Sequence, residues 1–138
     1  MISTTYNEMW DRFTDSAKSN RLIVDPLIHS TQDTRRGITA LAYLDKNNKQ
    51  VIDKISKFLT AVNKIEPEQY FYPRTDLHVT ILSIISCIEG FTLSTINVDD
   101  YIKVFNHVMA ECPPIAINFN GVTASESCIV IQGFPVKN

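Results

Sequence analysis

The sequence predicts an α+β fold in which a mostly antiparallel sheet carries two amphipathic helices on one face. Segments with apolar residues at helical spacing alternate with short apolar runs typical of strands. The predicted order is helix, strand, helix, strand, helix, strand, strand, and only a short polar stretch separates the last two strands. Such a short connection favours antiparallel pairing, and helices interspersed with antiparallel strands are typical of the α+β class.

Three segments are predicted to be helices. Residues 49–63 follow the i, i+3, i+4, i+7 rule most closely, and residues 5–19 and 98–111 show the same periodicity. The apolar stripes, which we expect to be buried against the sheet, are Tyr6, Met9, Trp10 and Phe13 in the first helix, Val51, Ile52, Ile55, Phe58, Leu59 and Val62 in the second, and Val98, Ile102, Phe105, Val108 and Met109 in the third.

Four apolar runs are predicted to be strands. The first covers residues 38–44, and the second begins after a turn at Pro73 to Asp76 and extends to about Cys87. Residues 115–122 and 127–133 form the last pair, which is expected to be a hairpin around the polar residues 123–126.

Size and charge predict a single domain and argue against duplex DNA as a partner. The chain has 138 residues, 44% of them hydrophobic and 20% charged, which is enough for one domain with a core. Its net charge is −2 and its Lys and Arg residues are scattered, so we expect no binding of duplex DNA. A small phosphorylated substrate or an RNA end remains compatible with this charge.

The cysteines and the apolar runs predict a cytoplasmic protein. Cys87, Cys112 and Cys128 are odd in number and lack the spacing of a zinc site, so we expect them to be reduced and buried among apolar residues. No secretory signal and no run long enough to span a bilayer is present in the sequence, so no membrane partner is expected.

The second predicted strand contains the candidate chemistry. His78 and Thr80 interrupt an otherwise apolar run, and residues two apart on a strand point to the same face. An imidazole beside a hydroxyl can hold and protonate a phosphate oxygen. A histidine hydrogen-bonded to a threonine inside the core would have the same spacing.

The residues around this pair resemble a known family. The segment from Pro73 to Leu82 reads Pro-Arg-Thr-Asp-Leu-His-Val-Thr-Ile-Leu, which is similar to the first signature of the 2H phosphoesterases, a group that includes RNA 2′,5′-ligase-like proteins and cyclic phosphodiesterases. That family carries His-x-[Ser/Thr]-x once in each lobe of a pseudo-symmetric, bilobal α+β fold. The resemblance covers about Gly37 to Pro135. It implies that residues 1–36 are an N-terminal helix and connector, and residues 37–138 the first lobe.

The resemblance also implies a chemistry and a set of site residues. His78 corresponds to a catalytic histidine and Thr80 to the hydroxyl that holds the phosphate, with no metal and no cofactor. The implied reaction opens a 2′,3′-cyclic phosphate, or acts on a 2′,5′-phosphodiester, of RNA or a nucleotide through histidine general acid–base catalysis. Tyr72 could stack on a base, and Arg36 could meet a phosphate.

The second family motif is missing from the sequence. His29 is followed directly by Ser30 and Thr31, and His107 has no hydroxyl residue in register. A two-histidine mechanism therefore requires the absent second lobe, or a homodimer in which each copy contributes one His78 and one Thr80. Two other hypotheses are a non-catalytic module that binds a phosphate or RNA end, and a structural interaction domain.

Overall fold

The computed structural model describes residues 2–44 and 46–136 and confirms the α+β class. The elements follow the predicted order. In chain order they are α1 (Ile2–Lys18), β1 (Arg36–Tyr43), α2 (Lys49–Ile65), β2 (His78–Ile88), α3 (Val98–Glu111), β3 (Ile117–Ala124) and β4 (Ile129–Pro135), with 3₁₀ turns at Lys46–Asn48, Arg74–Asp76 and Leu93–Thr95.

The strands pair antiparallel, in two separate two-stranded sheets. β1 pairs with β2, and β3 pairs with β4. The apolar alternation that predicts a strand specifies which face is buried but not which strand lies beside it. The four strands that we expected in one sheet therefore form two ladders in the part of the chain that the structure describes.

The chain divides into two compact units. One unit consists of Met1–His29 and Ile102–Asn138, and the other of Ser30–Tyr101. The first of these units contains α1 together with the β3–β4 hairpin. The predicted division into residues 1–36 and a lobe of residues 37–138 stays a prediction.

Hydrogen bonds attach α1 to the β3–β4 hairpin. The Tyr6 hydroxyl donates to the Gly133 carbonyl oxygen and accepts from the Gly133 amide, both at 2.9 Å. The Thr123 hydroxyl donates to the Tyr6 carbonyl oxygen at 3.1 Å, and the Ser16 hydroxyl donates to the Glu126 carboxylate at 2.6 Å. The Tyr6 ring also meets the Phe134 ring edge-on at 5.4 Å.

In the other unit, α2 and β1 supply the buried apolar residues. Ile52 and Ile55 of α2 and Ala40 of β1 are buried, and the remaining members of the predicted α2 stripe are partly buried. At the start of β1, a Cβ on Gly37 would lie 2.5 Å from the Ile85 carbonyl oxygen. The glycine therefore permits a close approach of β1 to β2.

The bounds of α3 match the prediction, but the predicted burial of its apolar stripe is wrong. Ile102, Phe105, Val108 and Met109 are all exposed, and only Val98 is partly buried. Helical periodicity shows that a helix has one apolar side, and it does not supply a surface to cover that side.

The prediction of buried cysteines is also wrong. Cys87, Cys112 and Cys128 are free thiols and all three are exposed. Cys128 lies in the turn before β4, where its Sγ is 3.2 Å from the Ser125 hydroxyl, and Cys112 follows the end of α3. The apolar sequence neighbours on which the prediction depended are themselves largely exposed at Ile88 and Ile129. Among residues 2–44 and 46–136, no helix is both long and apolar enough to cross a bilayer.

Candidate functional site

The site begins at the turn that precedes β2. Pro73 has an extended conformation, and the Asp76 amide donates to its carbonyl oxygen at 2.9 Å, which closes the 3₁₀ turn Arg74–Asp76. Proline has a fixed φ and no amide hydrogen, so it suits the position before such a turn. The Leu44 amide then donates to the Leu77 carbonyl oxygen at 2.8 Å. The start of β2 is thereby fixed against the end of β1.

His78 is exposed, and a backbone hydrogen bond orients its ring. Nδ1 lies 2.6 Å from the carbonyl oxygen of Asp76. Because a carbonyl oxygen only accepts, Nδ1 carries the hydrogen in this contact. In the neutral ring Nε2 is then the basic nitrogen, and in the charged ring it is a donor. The turn thus selects the neutral tautomer that carries its hydrogen on Nδ1 and leaves Nε2 without one.

Thr80 lies two residues further along the same strand. It is exposed like His78, whereas Val79 between them is partly buried. Neither Nε2 of His78 nor the Thr80 hydroxyl has a hydrogen-bond partner among the residues that the structure describes. Residues two apart on a strand are separated by about 6.5 Å, a span that one phosphate group and its two hydrogen bonds can bridge.

Tyr43 is a neighbour of His78 that the sequence does not predict. It is the last residue of β1, and in the antiparallel register it lies opposite His78, while Leu41 lies opposite Thr80. The Tyr43 and His78 ring centroids are 6.2 Å apart at an interplanar angle of 76°, and Tyr43 is 60% exposed. Only the register between two distant strands reveals this neighbour, and the sequence does not give that register.

Arg36 lies at the opposite end of the β1–β2 sheet. It pairs with Ile88, seven residues along β1 from Tyr43, which corresponds to about 20 Å. Its Nη1 donates to the carbonyl oxygens of Asp33 at 3.0 Å and Arg35 at 2.7 Å. The structure therefore does not bring Arg36 together with His78.

Tyr72 is close to His78 in sequence and is 58% exposed. Its ring contact is with Tyr70, edge-on at 5.0 Å. An aromatic pair of this kind is available to a ligand and equally forms part of the local packing. The predicted role of Tyr72 in substrate binding stays a prediction.

Arg74 is the cation that the turn itself carries. Its Nη2 donates to Asp53 Oδ1 at 2.7 Å, and Lys49 Nζ donates to the other carboxylate oxygen at 3.1 Å. These hydrogen bonds, that of Lys49 first and that of Arg74 second, lower the pKa of Asp53. Since the three side chains are between 40% and 78% exposed, the cluster is screened by solvent and contributes little to stability.

Neither a search for metal-binding groups nor comparison with known proteins identifies a function for this site. Within residues 2–44 and 46–136, no three His, Cys, Asp or Glu side chains are grouped so that they could hold a metal ion. No family model, no curated protein and no solved structure matches the chain. The candidate site therefore depends on its own geometry: His78 with a fixed tautomer, Thr80 beside it, and Tyr43 on the neighbouring strand.

Proposed function

We propose that the exposed His78 and Thr80 bind a phosphate ester, and that His78 is the general acid–base of a 2H-type phosphoesterase. The substrate would be a 2′,3′-cyclic phosphate or a 2′,5′-phosphodiester of RNA or a nucleotide. One observation carries the proposal: Nδ1 of His78 is committed to the Asp76 carbonyl oxygen, so that Nε2 is left as the proton-accepting atom on an exposed ring.

The chemistry assigns one task to each side chain. The Thr80 hydroxyl donates a hydrogen bond to a non-bridging phosphate oxygen and so positions the phosphorus. Nε2 of His78 takes a proton from the attacking water or hydroxyl, or in its charged form gives one to the leaving oxygen. A proton transfer of this type typically contributes about 10²- to 10⁴-fold to the rate.

A second candidate function is binding without turnover. In-line displacement at phosphorus uses an acid and a base on opposite sides. His78 is the single histidine of the compact unit that contains the site, residues 30–101. One imidazole and one hydroxyl suffice to bind a phosphate or an RNA end. Catalysis requires a second proton-transfer group, from a second lobe or from a second copy of this chain.

The purely structural hypothesis is weaker for a specific reason. A structural polar pair in a strand is typically buried and hydrogen-bonded within the protein. His78 and Thr80 are both exposed, and the one hydrogen bond of His78 goes to the backbone of its own turn. That contact orients the ring without using Nε2.

The test measures turnover and binding on the same protein samples. Hydrolysis of adenosine 2′,3′-cyclic phosphate is followed by ³¹P NMR, and the affinity for adenosine 2′-monophosphate is measured by calorimetry. His78→Ala should lower the rate at least about 100-fold, and Thr80→Val should lower it about tenfold. His107→Ala is the matched control, since His107 is exposed on α3 and should leave both readouts unchanged.

The outcomes separate the candidates. Turnover that His78→Ala abolishes supports the phosphoesterase, while binding that depends on His78 without turnover supports the non-catalytic module. Hydrolysis that persists in His78→Ala, or the absence of both binding and hydrolysis in the wild type, would contradict the proposal.

A further inference from the structure

Tyr43 is an exposed aromatic residue that lies directly beside His78. It ends β1 directly opposite His78, and 60% of the residue is accessible to solvent. Cross-strand aromatic pairs stabilise sheets because the two side chains cover each other. The Tyr43 and His78 rings meet edge-on at 76° with centroids 6.2 Å apart, so they cover each other only in part.

We propose that Tyr43 is the stacking platform for a nucleobase whose phosphate is held by His78 and Thr80. This inference rests on the proposed function and narrows it. The ligand is a nucleoside phosphate or an RNA end, and a phosphorylated compound without a base binds less tightly.

The ring arrangement leaves room for a base. In an edge-on pair one ring directs its rim at the face of the other, so His78 covers at most one face of Tyr43. Base stacking requires one open face, and aromatic side chains on a sheet surface that stack bases are a recurrent way of binding single-stranded nucleic acid.

The spacing between the two strands fits a nucleotide. Neighbouring strands lie about 4.8 Å apart, and Tyr43 and His78 are direct partners across that gap. One ribose separates the base and the phosphate of a nucleoside 2′- or 3′-phosphate. A base on the Tyr43 ring therefore positions its phosphate at the adjacent strand, where Nε2 of His78 and the Thr80 hydroxyl are available.

Stacking has a consequence for specificity. Every base has a π-face, and nothing on Tyr43 other than its hydroxyl distinguishes one base edge from another. The site should therefore require a base and discriminate little among the four bases.

The experiment compares two ligands that differ only in the base. Affinities for adenosine 2′-monophosphate and for methyl ribofuranoside 2-phosphate are measured by NMR titration, and their ratio reports the base contribution. In the wild type the nucleotide should bind about 5- to 150-fold more tightly. Tyr43→Leu should bring the ratio close to one and leave the affinity for the base-free ligand unchanged, whereas Tyr43→Phe should keep the ratio. The ratio does not depend on the folded fraction of a variant.

Two further tyrosines make the test specific. Tyr101→Leu on α3 is the matched control and should keep the ratio. A ratio that falls in Tyr72→Leu and not in Tyr43→Leu would overturn the inference, as would a wild-type ratio near one. In either case His78-dependent binding of the base-free phosphate would leave the proposed function standing. If neither ligand binds, the inference and the proposed function both fail.

Discussion

Thr80 on β2 and Thr123 on β3 each lie in an antiparallel strand pair, and their side chains have opposite surroundings. Thr123 is 1% exposed, and its hydroxyl donates to the Tyr6 carbonyl oxygen at 3.1 Å. Thr80 is exposed and has no hydrogen-bond partner in the part of the chain described by the structure. Both threonines lie within antiparallel strands, so residue type and secondary structure alone do not separate them.

The same contrast extends to one aromatic residue at each strand pair, Tyr6 of α1 beside β3–β4 and Tyr43 at the end of β1. Tyr6 uses its hydroxyl to bind both backbone groups of Gly133 and its ring to contact Phe134. Tyr43 has no hydrogen bond of this kind among the described residues, and most of its surface is open. Thr123 and the Gly133 backbone are hydrogen-bonded to Tyr6 of α1, whereas Thr80 and Tyr43 beside His78 are exposed. Availability, rather than residue type, distinguishes a candidate site from a structural network.

The largest effect on stability should come from the Tyr6 hydroxyl. Tyr6→Phe removes the hydroxyl that donates to the Gly133 carbonyl oxygen and accepts from the Gly133 amide. The loss of these two hydrogen bonds should lower the free energy of unfolding by about 1–3 kcal/mol. Tyr43→Phe removes an exposed hydroxyl and should change stability by less than about 0.5 kcal/mol. Urea unfolding of both variants measures the difference, and equal losses would contradict the contrast between the two strand pairs.

A smaller loss should follow at Thr123. Thr123→Val keeps the β-branched shape and removes the buried hydrogen bond to the Tyr6 carbonyl oxygen, which should cost about 1 kcal/mol. Thr80→Val should have no measurable effect on stability, although it weakens phosphate binding in the proposed function. Thermal unfolding of this pair is the check. A destabilised Thr80→Val protein would assign Thr80 a structural role.

The smallest effect should appear at acid pH. The side-chain hydrogen bond from Arg35, followed by the backbone hydrogen bond from the same residue, lowers the pKa of Asp33 from its usual 3.8 to about 2. A depressed pKa means that the ionised carboxylate favours the folded state, so this contribution is present above about pH 4 and is lost as the pH falls through about 2. Asp33→Asn should flatten the pH dependence of stability in this window. An NMR titration that finds an unshifted Asp33 would contradict the ion pair.

Much of the fold follows from local pattern. The helical periodicity predicts α3 with its observed bounds and α2 to within two residues at its end, because both segments repeat their apolar residues regularly. The predicted β3 and β4 lie about two residues before the observed strands. The position of the short turn, and not the apolar alternation, sets the register of this pair. Alternation also predicts His78 and Thr80 on one face, in line with their exposure on either side of Val79.

The sequence does not show which elements lie next to one another in the fold. Tyr43 becomes a neighbour of His78, and Arg36 a distant residue, only through the antiparallel pairing of β1 with β2, in which the start of one strand meets the end of the other. The prediction that the apolar stripe of α3 is buried is wrong because the sequence does not show whether another element covers that stripe. Periodicity marks the apolar side of an element, and tertiary packing decides whether that side is covered.

An NMR titration with adenosine 2′-monophosphate, following the two threonines and His78 in one experiment, tests the central claim most directly. We expect saturable shifts of the His78 ring and of Thr80, and no shift at Thr123, because only the first two have groups available to the phosphate. Shifts at Thr123 with an unchanged His78, or no saturable shift at His78 and Thr80, would contradict the assignment of a phosphate-ester site to the β1–β2 strand pair.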